Sequence, residues 1–224
     1  MTNDYEQMLQ DIYTSLLRPG DACVDVGAHI GRHTLPMASC VGPNGCIYAF
    51  EPIPSISAEL RSKLSASPEL RACVKLDNCA LSDTVGEADF VFVRDNPGYS
   101  GLRPRHYDAP VKTENIRVHV KRLDDLAAGM RNIRYIKIDC EGAELKVLRG
   151  ASELLFRDRP FVSFECGDAS LESYDYDAGD IFDFWAARDY KVESIHREAM
   201  DRASFMAASA QQEFWDYFAT PKAA

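Results

Sequence analysis

The chain predicts an α/β fold built on a mostly parallel sheet covered on both faces, and three observations carry that reading. Strand-length apolar runs alternate with helix-length segments along nearly all of the 224 residues, and parallel strands need such crossovers because no tight turn can join them. The apolar run Cys23-Val24-Asp25-Val26 breaks into the glycine turn Gly27-Ala28-His29-Ile30-Gly31, with a helix-length interval after it. A second run, Ile47-Tyr48-Ala49-Phe50, ends on the single acid Glu51. Chemistry-bearing residues therefore stand at strand tips, where open α/β sheets place their ligands.

Taken in order, the first helix runs from Tyr5 to Leu17, with Tyr5, Met8, Leu9, Ile12, Tyr13, Leu16 and Leu17 on one face. Arg18-Pro19-Gly20-Asp21 ends it and turns the chain into the strand Ala22 to Val26. A helix from Gly31 to Cys40 is closed by the turn Gly42-Pro43-Asn44-Gly45. The strand Cys46 to Phe50 follows, and Pro52, Pro54 and Ser55 open a helix from Ile56 to Ala66. The third strand is Val74 to Asp77, and Ala88 to Val93 alternates like an edge strand.

Arg94 to Lys112 is irregular and rich in Gly, Pro, Tyr and charge; long loops of this kind carry function, and this one is read as a substrate-side lid. Strand Ile116 to Lys121, helix Leu123 to Ala128, strand Tyr135 to Ile138, helix Ala143 to Leu155 and strand Phe161 to Glu165 come next. After the acidic loop Asp168 to Asp180, a helix from Ile181 to Arg188 leads to a strand from Lys191 to Ile195, and Glu213 to Ala219 forms the closing strand. Length alone predicts one domain over residues 1–224, with residues 1–20 as an N-terminal helix and 94–112 as the lid.

Composition narrows the function. A net charge of −10 argues against nonspecific nucleic-acid binding, which needs a basic face. Met1-Thr2-Asn3-Asp4 opens no basic-then-apolar signal sequence, and no run reaches the roughly eighteen apolar residues of a membrane span. Seven cysteines without a C-x-x-C pair read as buried apolar residues in a reducing cytoplasm.

The first strand and its turn suit a nucleoside-bearing cofactor, with glycines admitting a close ligand and Glu51 placed to accept from ribose hydroxyls. A dinucleotide site wants G-x-G-x-x-G, and His29 stands where the middle glycine belongs. Asp25, two residues before Gly27, would repel a pyrophosphate but suits the ammonium and sulfonium of S-adenosylmethionine. The methyl donor is therefore favoured over NAD, with an NAD-linked oxidoreductase and a non-catalytic binding module as rivals.

The second constellation is Lys137-Ile138-Asp139-Cys140-Glu141-Gly142-Ala143-Glu144. Asp139 ends a central strand and Glu165 ends its neighbour, so both project to one rim. Two carboxylates there suit a divalent cation such as magnesium, or one of them serves as general base. Glu144 in a first helical turn is explained by the helix dipole alone. Asp139 leads the candidates for base, followed by Glu165 and Glu141, with His106, beside Tyr107 in the lid, as the competing histidine.

With those residues in view, the chain resembles the FkbM family of S-adenosylmethionine-dependent methyltransferases. The resemblance rests on Val24-Asp25-Val26-Gly27-Ala28-x-Ile30-Gly31, Phe50-Glu51-Pro52, Asn78-x-Ala80-Leu81-Ser82-Asp83, Leu123-Asp124-Asp125-Leu126, Lys137-Ile138-Asp139-x-Glu141-Gly142-Ala143-Glu144, Val147-Leu148-x-Gly150-Ala151, Arg159-Pro160 and Glu165. It covers residues 22–166, and His29 stands where the family often has Asn. The resemblance implies a Rossmann-like class I methyltransferase fold, a three-layer sandwich whose seven-stranded sheet is parallel except for its last strand. It also implies that Asp25, Gly27, Ala28 and Gly31, with His29, hold the methionine end, that Glu51 and Pro52 meet the ribose, that Asn78 and Ala80 flank the adenine, and that Asp139 lies beside the reacting methyl. O-methylation of a sugar or polyketide-type small molecule is the expectation, with N-methylation of an amine or peptide as the alternative. The acceptor's identity and any homo-oligomer stay open.

Overall fold

The computed structural model describes residues 4–107 and 109–222. Readings that touch residues 1–3, 108 and 223–224 lie in part outside it. Helix α1 (Tyr5–Leu16) starts where the Asp4 carboxylate accepts from the Gln7 N–H at 3.1 Å, and it buries Leu9 and Tyr13. Strand β1 (Ala22–Val26) follows, then α2 (Thr34–Val41) and β2 (Cys46–Phe50). Helix α2 starts three residues later than expected because Gly31 sits at φ +91°, outside helical space, and donates to the Ala28 carbonyl. Helices α3 (Pro54–Ser65) and α4 (Pro68–Cys73) each open on a proline, whose fixed φ suits a first helical position, and lead to β3 (Val74–Asp77).

Strands β4 (Ala80–Leu81), β5 (Gly86–Val93) and β6 (Thr113–Lys121) form a separate three-stranded sheet in the order β4-β6-β5. After α5 (Leu123–Ala127) comes the central strand β7 (Ile133–Ile138). The single helix expected from Ala143 to Leu155 is two: α6 (Glu144–Arg149) and α7 (Ser152–Asp158). Two tertiary contacts make the break. A Cβ on Gly150 would lie 2.1 Å from the Ser82 carbonyl oxygen, and Asp124 caps α7 by accepting from the N–H groups of Glu153 and Leu154 at 3.1 and 3.0 Å.

Strand β8 (Phe161–Glu165), the short α8 (Asp168–Leu171), α9 (Ala178–Ala186) and β9 (Tyr190–Ser194) follow. Asp177 and Asp180 form a reciprocal cap, so the end of the acidic stretch is the start of α9. Then come β10 (Ala199–Met200) and α10 (Arg202–Gln211), beyond the elements the sequence predicts, and β11 (Asp216–Pro221).

The main sheet has the order β10-β9-β11-β8-β7-β1-β2-β3. Strands β3, β2, β1, β7 and β8 are parallel, and β11 runs antiparallel between β8 and β9. The seven expected strands are present with the last one antiparallel, and the two-residue β10 adds an eighth at the edge of β9. Right-handed crossovers send the helices after β1 and β2 to one face and those after β7 and β8 to the other, which makes three layers. The strand order reverses between β1 and β7, and a crevice opens at that point beyond their carboxyl ends. Among the described residues no helix is long and apolar enough to cross a membrane.

Candidate active site

A cavity of about 310 Å³ occupies this crevice, within the range of small-ligand sites. Its β2–β3 side is apolar, lined by Ile53, Ala80, Leu81, Phe90 and Leu102, and its β1–β7 side is charged, lined by Glu6, Asp25, His33, Lys137 and Asp139.

The turn after β1 is shaped by backbone. The N–H groups of Gly27 and Ala28 both donate to the Phe50 carbonyl at 3.0 Å. A Cβ on Gly27 (φ +79°) would stand 1.9 Å from the Asp139 carbonyl oxygen, so only glycine lets β1 and the end of β7 approach this closely. His29 is left-handed at φ +48° and aims its N–H at Glu51 Oε2, 2.9 Å away; Ile53 N–H binds Oε1 at 2.7 Å. Burial pushes the Glu51 carboxyl up to about 7 although those two N–H groups favour its charge. Asn78 does not line the cavity: its Nδ2 bonds the Glu51 and Pro52 carbonyls at 2.7 and 3.0 Å and fixes the β2 tip from behind. Gly31 also stays off the cavity wall, its missing Cβ making room for Leu60 of α3.

At the charged end Asp25 is buried. Its Oδ2 accepts from the Thr34 hydroxyl at 2.5 Å, while Oδ1 is buried without a partner. His29 Nε2, also a lining group, is buried and unpartnered as well, and burial holds this imidazole below its ordinary value. Lys137 pairs in register with Asp25 across the β1–β7 ladder and, two residues before Asp139, reaches it with Nζ at 2.9 Å. Burial works against the Lys137 charge, but Asp139 and Asp25 outweigh it and raise the ammonium above its usual range. Burial likewise works to raise Asp139, yet Lys137 and a hydrogen bond from Glu165 hold it below the usual carboxylate range. Asp139 is thus an ionised group whose side chain, 39% accessible, faces the cavity.

Carboxylate oxygens of Asp139, Glu141 and Glu165 lie within 4.8 Å of one another. Burial first, and then its acidic neighbours Glu141 and Asp139, drive Glu165 well above its ordinary value; its Oε2 has no partner. Glu141, at φ +56°, is ion-paired with the 90% buried Arg105, which reaches in from the irregular segment after β5 and stacks on Tyr99 at 4.6 Å. Glu144 is fully buried and accepts the Cys140 N–H at 2.9 Å, a turn-closing role that goes beyond the helix dipole.

The structure therefore gathers Asp25, Gly27, Ala28, His29, Glu51, Pro52, Ala80, Asp139 and Glu141 on one cavity, with Glu165 behind Asp139. His106 is elsewhere. It lines a separate open depression with Asp168, Glu172 and Tyr174, 3.6 Å from Glu172 and well exposed. Sequence reasoning passed over Lys137, Thr34, Glu6 and Asp216, a carboxyl that burial lifts to about 7 at the start of β11. The i, i+2 spacing of Lys137 and Asp139, which puts both on one face of a strand, was the available signal.

These residues fit a nucleoside-linked sulfonium donor by their chemistry. Glu51 is an acceptor set in rigid backbone, Asp25 and His29 present buried polar atoms without partners, and Gly27 leaves a cradle any side chain would fill.

Comparison with known proteins agrees. The family described as the methyltransferase FkbM domain matches residues 25–192. Among curated proteins, the 31-O-demethyl-FK506 methyltransferase FkbM of Streptomyces tacrolimicus is 33% identical over 164 residues, 61% of this chain and 62% of that protein. The 2-O-methyltransferase NoeI of Sinorhizobium fredii is 27% identical over 180 residues, 72% and 70% of the two chains. The chain thus spans about three fifths of the length of the first of these relatives. Among solved structures, an FkbM methyltransferase from Methylobacillus flagellatus superposes with a TM-score of 0.54 at 16% identity, over 97% of this chain and 56% of that one. Aeropyrum pernix fibrillarin with natively bound S-adenosylmethionine gives 0.50 at 12% identity, over 96% and 74%.

Proposed function

Because the chain belongs to the FkbM family of S-adenosylmethionine-dependent methyltransferases, we propose that it methylates a hydroxyl group of a small molecule, a sugar or a polyketide-type compound. The observation that carries this is Asp139: a carboxylate kept ionised by Lys137 and open to the cavity at the strand-order reversal. Two relatives whose names specify O-methylation support the oxygen acceptor.

When bound, the donor supplies an electrophilic methyl on a sulfonium leaving group. The chain's own residues align and deprotonate. Glu51 receives the ribose hydroxyls, and Ile53, Ala80, Leu81 and Phe90 receive the purine face. Asp25 and Asp139 set a negative field at the sulfonium end. An aliphatic hydroxyl is a weak nucleophile, so the proton it loses as its oxygen bonds the methyl carbon passes to Asp139, the ionised acid at the wall. Glu165 lies beside it, and a hydrogen bond from Glu165 favours the ionised form of Asp139.

A divalent cation held by Asp139 and Glu165 is the second reading, favoured by the close grouping of three carboxylates. Two cations already serve that cluster, Lys137 on Asp139 and Arg105 on Glu141, and they compete with a metal for the same oxygens. We therefore read the cluster as a proton-handling set, and exhaustive chelation is expected to leave activity unchanged.

The first test is calorimetric titration of S-adenosylhomocysteine, with and without magnesium, followed by labelled donor against hydroxylated acceptors. Micromolar binding and label in an ether product support the proposal. Label in an amine product would favour N-methylation, and binding of NADH instead would overturn the donor assignment.

A further inference from the structure

Resting on that donor reading, we infer that helix α1 is part of the binding site and that Glu6 receives the α-ammonium group of the donor's amino-acid end. Glu6 lines the cavity although it lies nineteen residues before Asp25 in the chain. Its Oε2 is 2.7 Å from His33 Nε2 and 3.4 Å from Arg32 Nε. His33 is buried, and its other nitrogen, Nδ1, meets the Tyr13 hydroxyl at 3.2 Å. A carboxylate at Nε2 places the imidazole proton there and leaves Nδ1 to accept from the tyrosine. Tyr13 is fully buried between β7 and α2, with its ring 5.6 Å from that of Tyr135. A chain of hydrogen bonds thus runs from the core through His33 to a carboxylate whose side chain is half exposed, 54%, at the charged end of the cavity.

Charge decides what that carboxylate is for. Of the other acids at this end, Asp139 is engaged by Lys137, and Asp25 has one oxygen on Thr34 and the other, Oδ1, buried, whereas Glu6 presents a half-exposed carboxylate. Among the described residues Glu6 Oε1 takes no hydrogen bond, while His33 and Lys137 help keep the group ionised, its carboxyl held below the ordinary value chiefly by the His33 hydrogen bond. An amino-acid end brings one ammonium and one carboxylate, and the wall offers the complementary pair, Glu6 and the half-exposed Arg32. An ammonium–carboxylate hydrogen bond belongs to the stronger class.

The test titrates the full chain with S-adenosylhomocysteine and with 5′-methylthioadenosine, which lacks the amino-acid end. Glu6→Gln is expected to weaken S-adenosylhomocysteine about tenfold or more and to leave methylthioadenosine within about twofold. Tyr13→Phe keeps the carboxylate but loosens its support, and should cost about threefold with the same selectivity. Equal losses for both ligands would mean that Glu6 only holds the helix, and no loss for either would mean that it is idle; each overturns the inference while the donor reading stands. If the unmodified protein binds neither ligand, the donor reading falls and takes the inference with it.

Discussion

On the proposed reading, in which Glu51 receives the donor's ribose, its burial couples ligand binding to pH. Its carboxyl is lifted from 4.5 to about 7, so without ligand it is half protonated near neutrality. Ribose hydroxyls donate, and only the ionised form offers all its lone pairs, so ligand binding selects the charged state and releases a proton. Affinity for S-adenosylhomocysteine is expected to rise about tenfold from pH 6 to pH 8, because the competent fraction rises by that factor. In Glu51→Gln the slope should vanish and the affinity be low throughout. The same shift acts on stability with the opposite sign: an acid with a raised folded value binds more protons folded than unfolded, so its contribution is lost as pH rises from about 4.5 to about 7. Asp139 makes a separate prediction. Asp139→Asn removes the proposed proton acceptor while keeping shape, and kcat should fall by about 10²–10⁴ with S-adenosylhomocysteine binding weakened far less. A variant retaining near-full kcat would point to an amine acceptor that arrives neutral.

At the scale of elements, the crevice exists because β1 and β7 come closer than side chains allow. Gly27→Ala adds a Cβ into the Asp139 carbonyl at a left-handed φ, so the β1 turn must move. The expected cost is about 2 kcal/mol, or about 4–8 °C in Tm for a chain of this size, with donor binding lost alongside. Scanning calorimetry and ligand titration on the same variant check both. Gly150 has the same logic at the α6–α7 break, where the missing side chain lets the helix junction rest on Ser82. That break was hidden in the sequence because a glycine in a helical pattern reads as tolerated; the Ser82 carbonyl that excludes its Cβ is 68 residues away in the chain.

Across the whole molecule, a buried ion pair among the described residues, Arg105 with Glu141, fastens the segment between β5 and β6 to the turn after β7. Pro97, Gly98, Ser100 and Leu102 of that segment line the cavity, so it forms part of the wall. We propose that it is the acceptor-side lid, held by that pair. Burial already lifts the Glu141 carboxyl to about 8 against the pull of Arg105, so Arg105→Ala takes away the partner that ties the segment to this acid and raises it further. Limited trypsin digestion should then cut faster at Arg94 and Arg103, and the KM for acceptor should rise more than kcat falls. Cleavage rates unchanged from the unmodified chain would show that the pair does not restrain the segment.

Much of this was legible in residues 22–166. The strand runs, the glycine turn and the strand-tip acids Asp25, Glu51 and Asp139 are local patterns, and local patterns survive in a string of letters because strand period and tip position depend on near neighbours. His106 was drawn in by its place in a polar loop, but the loop's path carries it to a different depression, beside Glu172. Glu6 joins the charged end only because α1 packs there, and Asp216 acts on Asp139 and Lys137 from beside the cavity because β11 pairs with β8. The sequence by itself determined the α/β layering, the family and the acids at the strand tips. The tertiary structure alone decided which charges share a cavity, which are neutralised by Lys137 and Arg105, and which protonation states result, because desolvation and Coulomb energy depend on distances between residues far apart in the chain.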